Sequence, residues 1–153
     1  LEEEDGFTLW ESNSIVRFLC AKHDSGGLYP DPPQARGDAE RWMDWQLSTL
    51  VTPVSIVFSN LIRRAAAERD HQAVAQAARE VESALALLER HLTAQSYVAG
   101  ERLTMGDIPV GATVHRWLEL PGIARPAFPA VTAWRDRLAL RPAFRAHVAL
   151  PLS

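Results

Sequence analysis

Cysteine is all but missing. Cys20 stands alone among 153 residues, so an intrachain disulfide is impossible and a cysteine-rich metal site is excluded. A single thiol fits a reducing compartment. Charge of one sign is missing too. Sixteen Lys and Arg against 19 Asp and Glu leave −3, the two signs are interspersed, and only Arg63-Arg64 stands out as a basic pair. A nucleic-acid binder carries a basic patch or stripe, so nucleic acid is not an expected partner. No uninterrupted apolar run approaches the roughly 20 residues that span a bilayer, and no membrane association is expected. The acidic start, Leu1 to Asp5, is the opposite of a signal peptide's basic opening. The expected location is therefore the cytoplasm. Histidines 23, 71, 91, 115 and 147 show no paired spacing of the zinc type, so no metal is expected. Internal repeats and low-complexity tracts are absent as well.

What is present suits a globular domain with a sizeable core, at 47% hydrophobic and 23% charged residues. The chain opens as strand, turn, strand. Asp5-Gly6 is a hairpin signal, because glycine tolerates the positive φ of a tight primed turn, and Phe7 to Trp10 alternate as a short strand. The three glutamates of Glu2 to Glu4 suit an exposed edge. A lone hairpin is marginal in water, so this piece calls for a larger sheet that the sequence does not contain. A helix follows, with Ser12 or Asn13 as cap and Ile15, Phe18 and Leu19 on one face. It ends near Asp24, before the breakers Ser25-Gly26-Gly27 and Pro30 to Pro33. Residues 25–33 are the expected linker, because strand patterns stop there and do not return.

From Gln34 onward helix follows helix. The first expected helix runs to Arg69 with a kink at Pro53, since proline removes a backbone bond and crowds the preceding turn. The second runs from Asp70 to Ala94 with Val74, Ala78, Val81, Leu85, Leu88 and Leu92 at helical spacing. A loop over 97–102 leads to a third helix from Thr104 to Glu119. A fourth spans Ala127 to Leu140, and Pro142 opens a final turn with Phe144.

Two motifs carry chemistry. In Leu103-Thr104-Met105-Gly106-Asp107-Ile108, Thr104 can cap the Asp107 amide while the Asp107 carboxylate reaches back to the Thr104 amide. That is a capping box, with Leu103 against Ile108 as its staple, and it reads as a folding element. The second motif is Trp10-Glu11-Ser12-Asn13-Ser14-Ile15, at a strand-to-helix junction. Helix N-terminal amides bind carboxylates readily. Ser12 adds a hydroxyl donor and Glu11 an acceptor for an ammonium, so the pair could grip an amino-acid head group. By local chemistry alone the ordinary N-cap is the stronger reading of the serine. Trp42, Trp45 and Phe58 either pack in the core or line an apolar cleft, with Asp44 and Gln46 as polar neighbours.

The run Phe7 to Leu19 resembles the strand-to-helix motif of the cytosolic glutathione S-transferases, bacterial type. Leu28-Tyr29-Pro30 resembles that family's linker, and Thr104 to Asp107 resembles the folding motif of its buried helix. Trp134 to Leu138, followed by Arg141-Pro142-Ala143-Phe144, is similar to the end of many bacterial members. The resemblance implies a mainly α fold. Residues 1–24 would be a β-hairpin and helix remnant of a thioredoxin-like domain, and 34–153 an all-helical C-terminal bundle. It implies glutathione as co-substrate rather than any cofactor, conjugated to an electrophilic small molecule in detoxification. Glu11 would meet the glutathione ammonium and Ser12 its carboxylate, and Trp45 and Phe58 would border the electrophile cleft. It also implies a homodimer, through the faces of Ile15 to Leu19 and Gln34 to Leu61. The family's catalytic Tyr, Ser or Cys and its cis-proline have no counterpart here, and Cys20, Ser14 and Tyr29 are not substitutes. The chain is therefore expected to hold part of a site, the remainder lying in an upstream half. The alternative is a non-catalytic interaction module, as in translation elongation factor one gamma and some aminoacyl-tRNA synthetases. Retention of Glu11-Ser12 favours the glutathione site.

Overall fold

Seven α-helices follow one another along residues 1–152, the part of the chain that the computed structural model describes. They are α1 (Ser12–His23), α2 (Pro33–Trp45), α3 (Val51–Phe58), α4 (His71–Leu92), α5 (Asp107–Glu119), α6 (Pro129–Ala139) and α7 (Pro142–His147). The chain is thus mainly helical, and no sheet strand forms among the described residues.

The expected hairpin is reduced to one antiparallel bridge, Glu2 with Thr8. Glu3 N donates to Phe7 O, and Leu1 and Leu9 exchange both backbone bonds at 3.0 Å, so the pairing reaches Leu1 and Leu9 without forming a sheet strand. The turn differs from the primed two-residue type. Gly6 N donates to Glu3 O, and Gly6 takes φ 88°, so the loop has three residues with glycine in the left-handed position. Phe7 rests on Phe18 of α1 at 5.4 Å, and Lys22 grips Glu3 at 2.6 Å. Trp10 is 79% exposed.

The expected long helix is real but shorter, and it widens instead of breaking. α2 and α3 are joined without interruption by a π turn, Gln46–Leu50, and a second π turn, Ser59–Arg63, ends the run. Val51 N bonds to Gln46 O, five residues back. This wider turn ends three residues before Pro53 and includes Thr49, the residue whose carbonyl the proline ring would crowd in a regular α-turn. The helix stops at Arg63, not Arg69, because Arg64 turns to an extended conformation. The whole run, Pro33–Arg63, contains an 18-residue window of mean hydropathy 1.2, long and apolar enough by length and composition to cross a bilayer. Scattered polar residues hide this window from a search for uninterrupted apolar runs. Its Leu50, Val54 and Val57 are buried in the core here.

α5 is the central element. Val110, Val114 and Trp117 are fully buried, each valine contributing about 1.5–3 kcal/mol by leaving water. Around it lie α2, α3 and α6, with α4 packed on α3 and α6. α6 is held by Glu89 of α4, whose two carboxylate oxygens accept from the amides of Ala130 and Val131. The expected linker is tied down as well: Met105 N donates to Leu28 O, and Arg36 donates to the carbonyls of Pro30 and Asp31.

Candidate functional site

The start of α5 is built on Asp107, which is completely buried. Its Oδ1 accepts from Val98 N at 3.0 Å and Trp134 Nε1 at 2.9 Å. Its Oδ2 accepts from Thr104 N at 2.9 Å and Thr104 Oγ1 at 3.3 Å. Burial pushes the carboxyl above the ordinary carboxylate range, and the four bonds it receives pull the other way. Half of the expected capping box is therefore present. The other half differs: Thr104 Oγ1 accepts from Gly106 N, and Asp107 N bonds to the Thr104 carbonyl. The helix begins at Asp107, not Thr104. The expected staple is absent too, since Leu103 packs on the core while Ile108 is exposed. Asp107 instead ties together the 97–102 loop, the α5 start and α6, a structural role with no open approach for a ligand.

The Glu11-Ser12 junction has the opposite character. Both residues are exposed. Glu11 adopts φ 69° and ψ 116°, the one positive φ outside glycine among the described residues. A side chain held there costs on the order of 1–3 kcal/mol, and such strain clusters at ligand sites. Neither Ser12 nor Asn13 is the cap: α1 begins at Ser12, with Glu11 in the cap position and no side-chain bond to the helix end. The amides of Ser12, Asn13 and Ser14 have no hydrogen-bond partner among the described residues. They present three donors and the positive end of the helix dipole to solvent.

A buried polar network supports this junction. Asn13 Nδ2 donates to Met43 O at 3.0 Å and to Gln46 Oε1 at 3.4 Å. Gln46 Nε2 donates to Thr113 Oγ1, which donates to Pro109 O. α1 is thereby fixed to the π turn and to α5, and outside this network Arg17 pairs with Asp44 at 2.5 Å. From the sequence Gln46 was expected beside the aromatic cleft, not at this junction, and its bonds to Asn13 and Thr113 were not foreseen. The available signal was an asparagine one residue inside the helix start, where a cap had been expected.

The two aromatic candidates lie apart. Trp45 borders an open groove with Arg41, Trp42, Leu87, Arg90 and His91, and it meets Trp42 edge-on at 5.2 Å. Phe58 borders a different cavity, with His115, Arg116 and the segment from Val148 to Leu152. No described cavity joins them. Among the described residues no cluster of His, Cys, Asp and Glu is arranged to hold a metal.

A helical bundle whose central helix starts at a buried Thr-Asp cap is the architecture of the glutathione S-transferase C-terminal domain, and the chain matches that family over residues 17–142. It belongs to the glutathione S-transferase family. It is 32% identical to glutathione S-transferase GstB of Escherichia coli, over 99% of this chain and 73% of that protein. It superposes with a TM-score of 0.92 on the theta class glutathione S-transferase of Xanthomonas axonopodis pv. citri with glutathione bound, at 41% identity, over 96% of this chain and 76% of the other. It is also 34% identical to elongation factor 1-gamma of Carassius auratus, over 94% of this chain but only 31% of that protein. The family match begins inside α1, so Glu11 and Ser12 lie outside it, whereas the GstB similarity covers nearly the whole chain.

Proposed function

We propose that the chain is part of a glutathione transferase and that the Glu11-Ser12 junction anchors the γ-glutamyl end of glutathione. The observation that carries this reading is the strained, exposed Glu11 at an uncapped helix start. The three open amides and the Ser12 hydroxyl suit the carboxylate of the head group, and the Glu11 carboxylate suits its ammonium. In this reading residues 1–24 are the end of a thioredoxin-like domain, 25–33 the linker and 34–153 the helical domain. The reaction is attack of the glutathione thiolate on an electrophilic small molecule, in detoxification. A thiol is mostly protonated at neutral pH and must be activated. In this reading the activating group belongs to the upstream half of the thioredoxin-like domain, and the 153-residue chain alone is expected to give no turnover above the uncatalysed rate with an aryl halide. Trp45 and Phe58 border different cavities, so they are alternative walls for the electrophile, not two walls of one cleft. A two-fold homodimer, soluble in the cytoplasm, accompanies the proposal; closed two-fold dimers are the commonest oligomers, and sedimentation as a monomer at micromolar concentration would count against it.

Titration calorimetry with glutathione on Glu11→Ala and Ser12→Ala tests the anchor. Each is expected to weaken binding at least several-fold with helix content unchanged. Unchanged affinity in both would remove the reading. The likeness to elongation factor 1-gamma favours one alternative, a non-catalytic interaction module, and that alternative predicts no glutathione binding at the junction.

A further inference from the structure

Phe58 carries two guanidinium groups on its ring: Arg63 at 5.2 Å and Arg116 at 5.0 Å from the centroid. Among the described residues neither has a carboxylate within 4 Å, although five other ion pairs form on the surface. Two like charges thus share one aromatic group, with no carboxylate among the described residues paired to either. Arg116 also borders a cavity of about 240 Å³ with Phe58, His115 and the apolar Val148 and Leu152. The volume is below the 300–1,000 Å³ typical of drug-sized ligands, so a small molecule is the fitting occupant.

His115 adds a directional donor. The residue is 93% buried, with 7% of its surface exposed. Its Nδ1 lies 3.4 Å from Arg135 Nη1. A guanidinium can only donate, so Nδ1 accepts and the ring proton sits on Nε2. No hydrogen bond from that Nε2–H forms among the described residues, and the ring lines the cavity. Arg135 is itself paired with Glu119 at 2.9 Å and with Asp136, so the nearby carboxylates are directed to Arg135.

We propose that the cavity between α3, α5 and the chain's last residues binds a small organic carboxylate, its apolar body on Phe58 and its charge on Arg116 and His115. The proposal rests on the reading of Phe58 as an electrophile wall only for its consequence, a preference for electrophiles that bear a carboxylate. Binding itself needs no glutathione. The paired charge and donor fix one end of the ligand, while the ring and the aliphatic side chains accept the other.

Benzoate titrated into the chain, followed by amide NMR and calorimetry, is the test, with uncharged benzamide as the control. Benzoate should saturate and shift the amides of residues 112–116 and 148–152, and benzamide should bind at least tenfold more weakly. Arg116→Gln, at an exposed position, should lower benzoate affinity at least tenfold with an unchanged melting temperature, and Arg116→Lys should restore part of it. Glu11→Ala should leave benzoate binding untouched, which separates this site from the glutathione anchor: either can fail while the other stands. Absence of saturable binding, equal binding of benzoate and benzamide, or full affinity in Arg116→Gln would overturn the proposal.

Discussion

Replacing Asp107 by Ala removes the acceptor of three buried N–H donors at once: Val98 N, Thr104 N and Trp134 Nε1. A buried donor left without a partner costs about 1–3 kcal/mol, so three place the loss at about 3 kcal/mol or more. That is a large part of the roughly 5–15 kcal/mol that holds a domain folded. Asp107→Asn separates the contributions. With its oxygen in the Oδ1 position it keeps the bonds from Val98 and Trp134, and only the Thr104 amide faces a second donor. The expected cost falls to about 1–3 kcal/mol. Urea melts at fixed pH measure both, read as a shift in midpoint at constant slope. A loss below about 1 kcal/mol for Asp107→Ala, or equal losses for the two variants, would refute the reasoning that satisfied donors, not packing alone, set the value of this residue.

Three further outcomes are expected. Gly106→Ala would put a Cβ 2.8 Å from the backbone oxygen of Ala39, forcing α5 away from α2 and costing about 1–3 kcal/mol by thermal melt; a neutral substitution would mean that the helices separate freely. Glu11→Gly should leave stability unchanged or raise it by up to about 2 kcal/mol, because glycine tolerates the positive φ, while glutathione binding falls; a loss of stability would show that the Glu11 side chain supports the fold. His115 is held below its ordinary pKa by burial and by Arg135, with Glu119 opposing. A lowered native value means that its stabilising contribution is present above about pH 6.5 and is lost as pH falls through the native value. His115→Gln should therefore flatten the urea midpoint between pH 7 and 5, and equal pH slopes in the two proteins would contradict this.

The helices were legible because their cores repeat at helical spacing. The α4 pattern of Val81, Leu85, Leu88 and Leu92 is buried as the periodicity requires. Helix ends were less so. Thr104 looked like a cap by its distance from Asp107, but which amide a hydroxyl meets depends on the turn between them, and here Met105-Gly106 forms a turn before the helix begins. The π turn at Gln46–Leu50 left no sequence mark apart from the proline it accommodates. At the candidate site, Glu11 and Ser12 could be picked out as residue types, but the strain at Glu11 could not, because a positive φ at a non-glycine residue is imposed by tertiary packing. The separation of Trp45 from Phe58, by contrast, was legible and overlooked, since 13 residues at 3.6 per turn place the two rings roughly 220° apart around a helix, on nearly opposite faces.

The central claim is that the start of α1 receives the γ-glutamyl head group. Amide NMR of the chain with added glutathione tests it most directly. The account predicts that the resonances of Ser12, Asn13 and Ser14 shift together and saturably, and that the Ser12→Ala variant needs a higher concentration to reach the same end point. Shifts confined to other residues, or none at these three amides at millimolar glutathione, would contradict it.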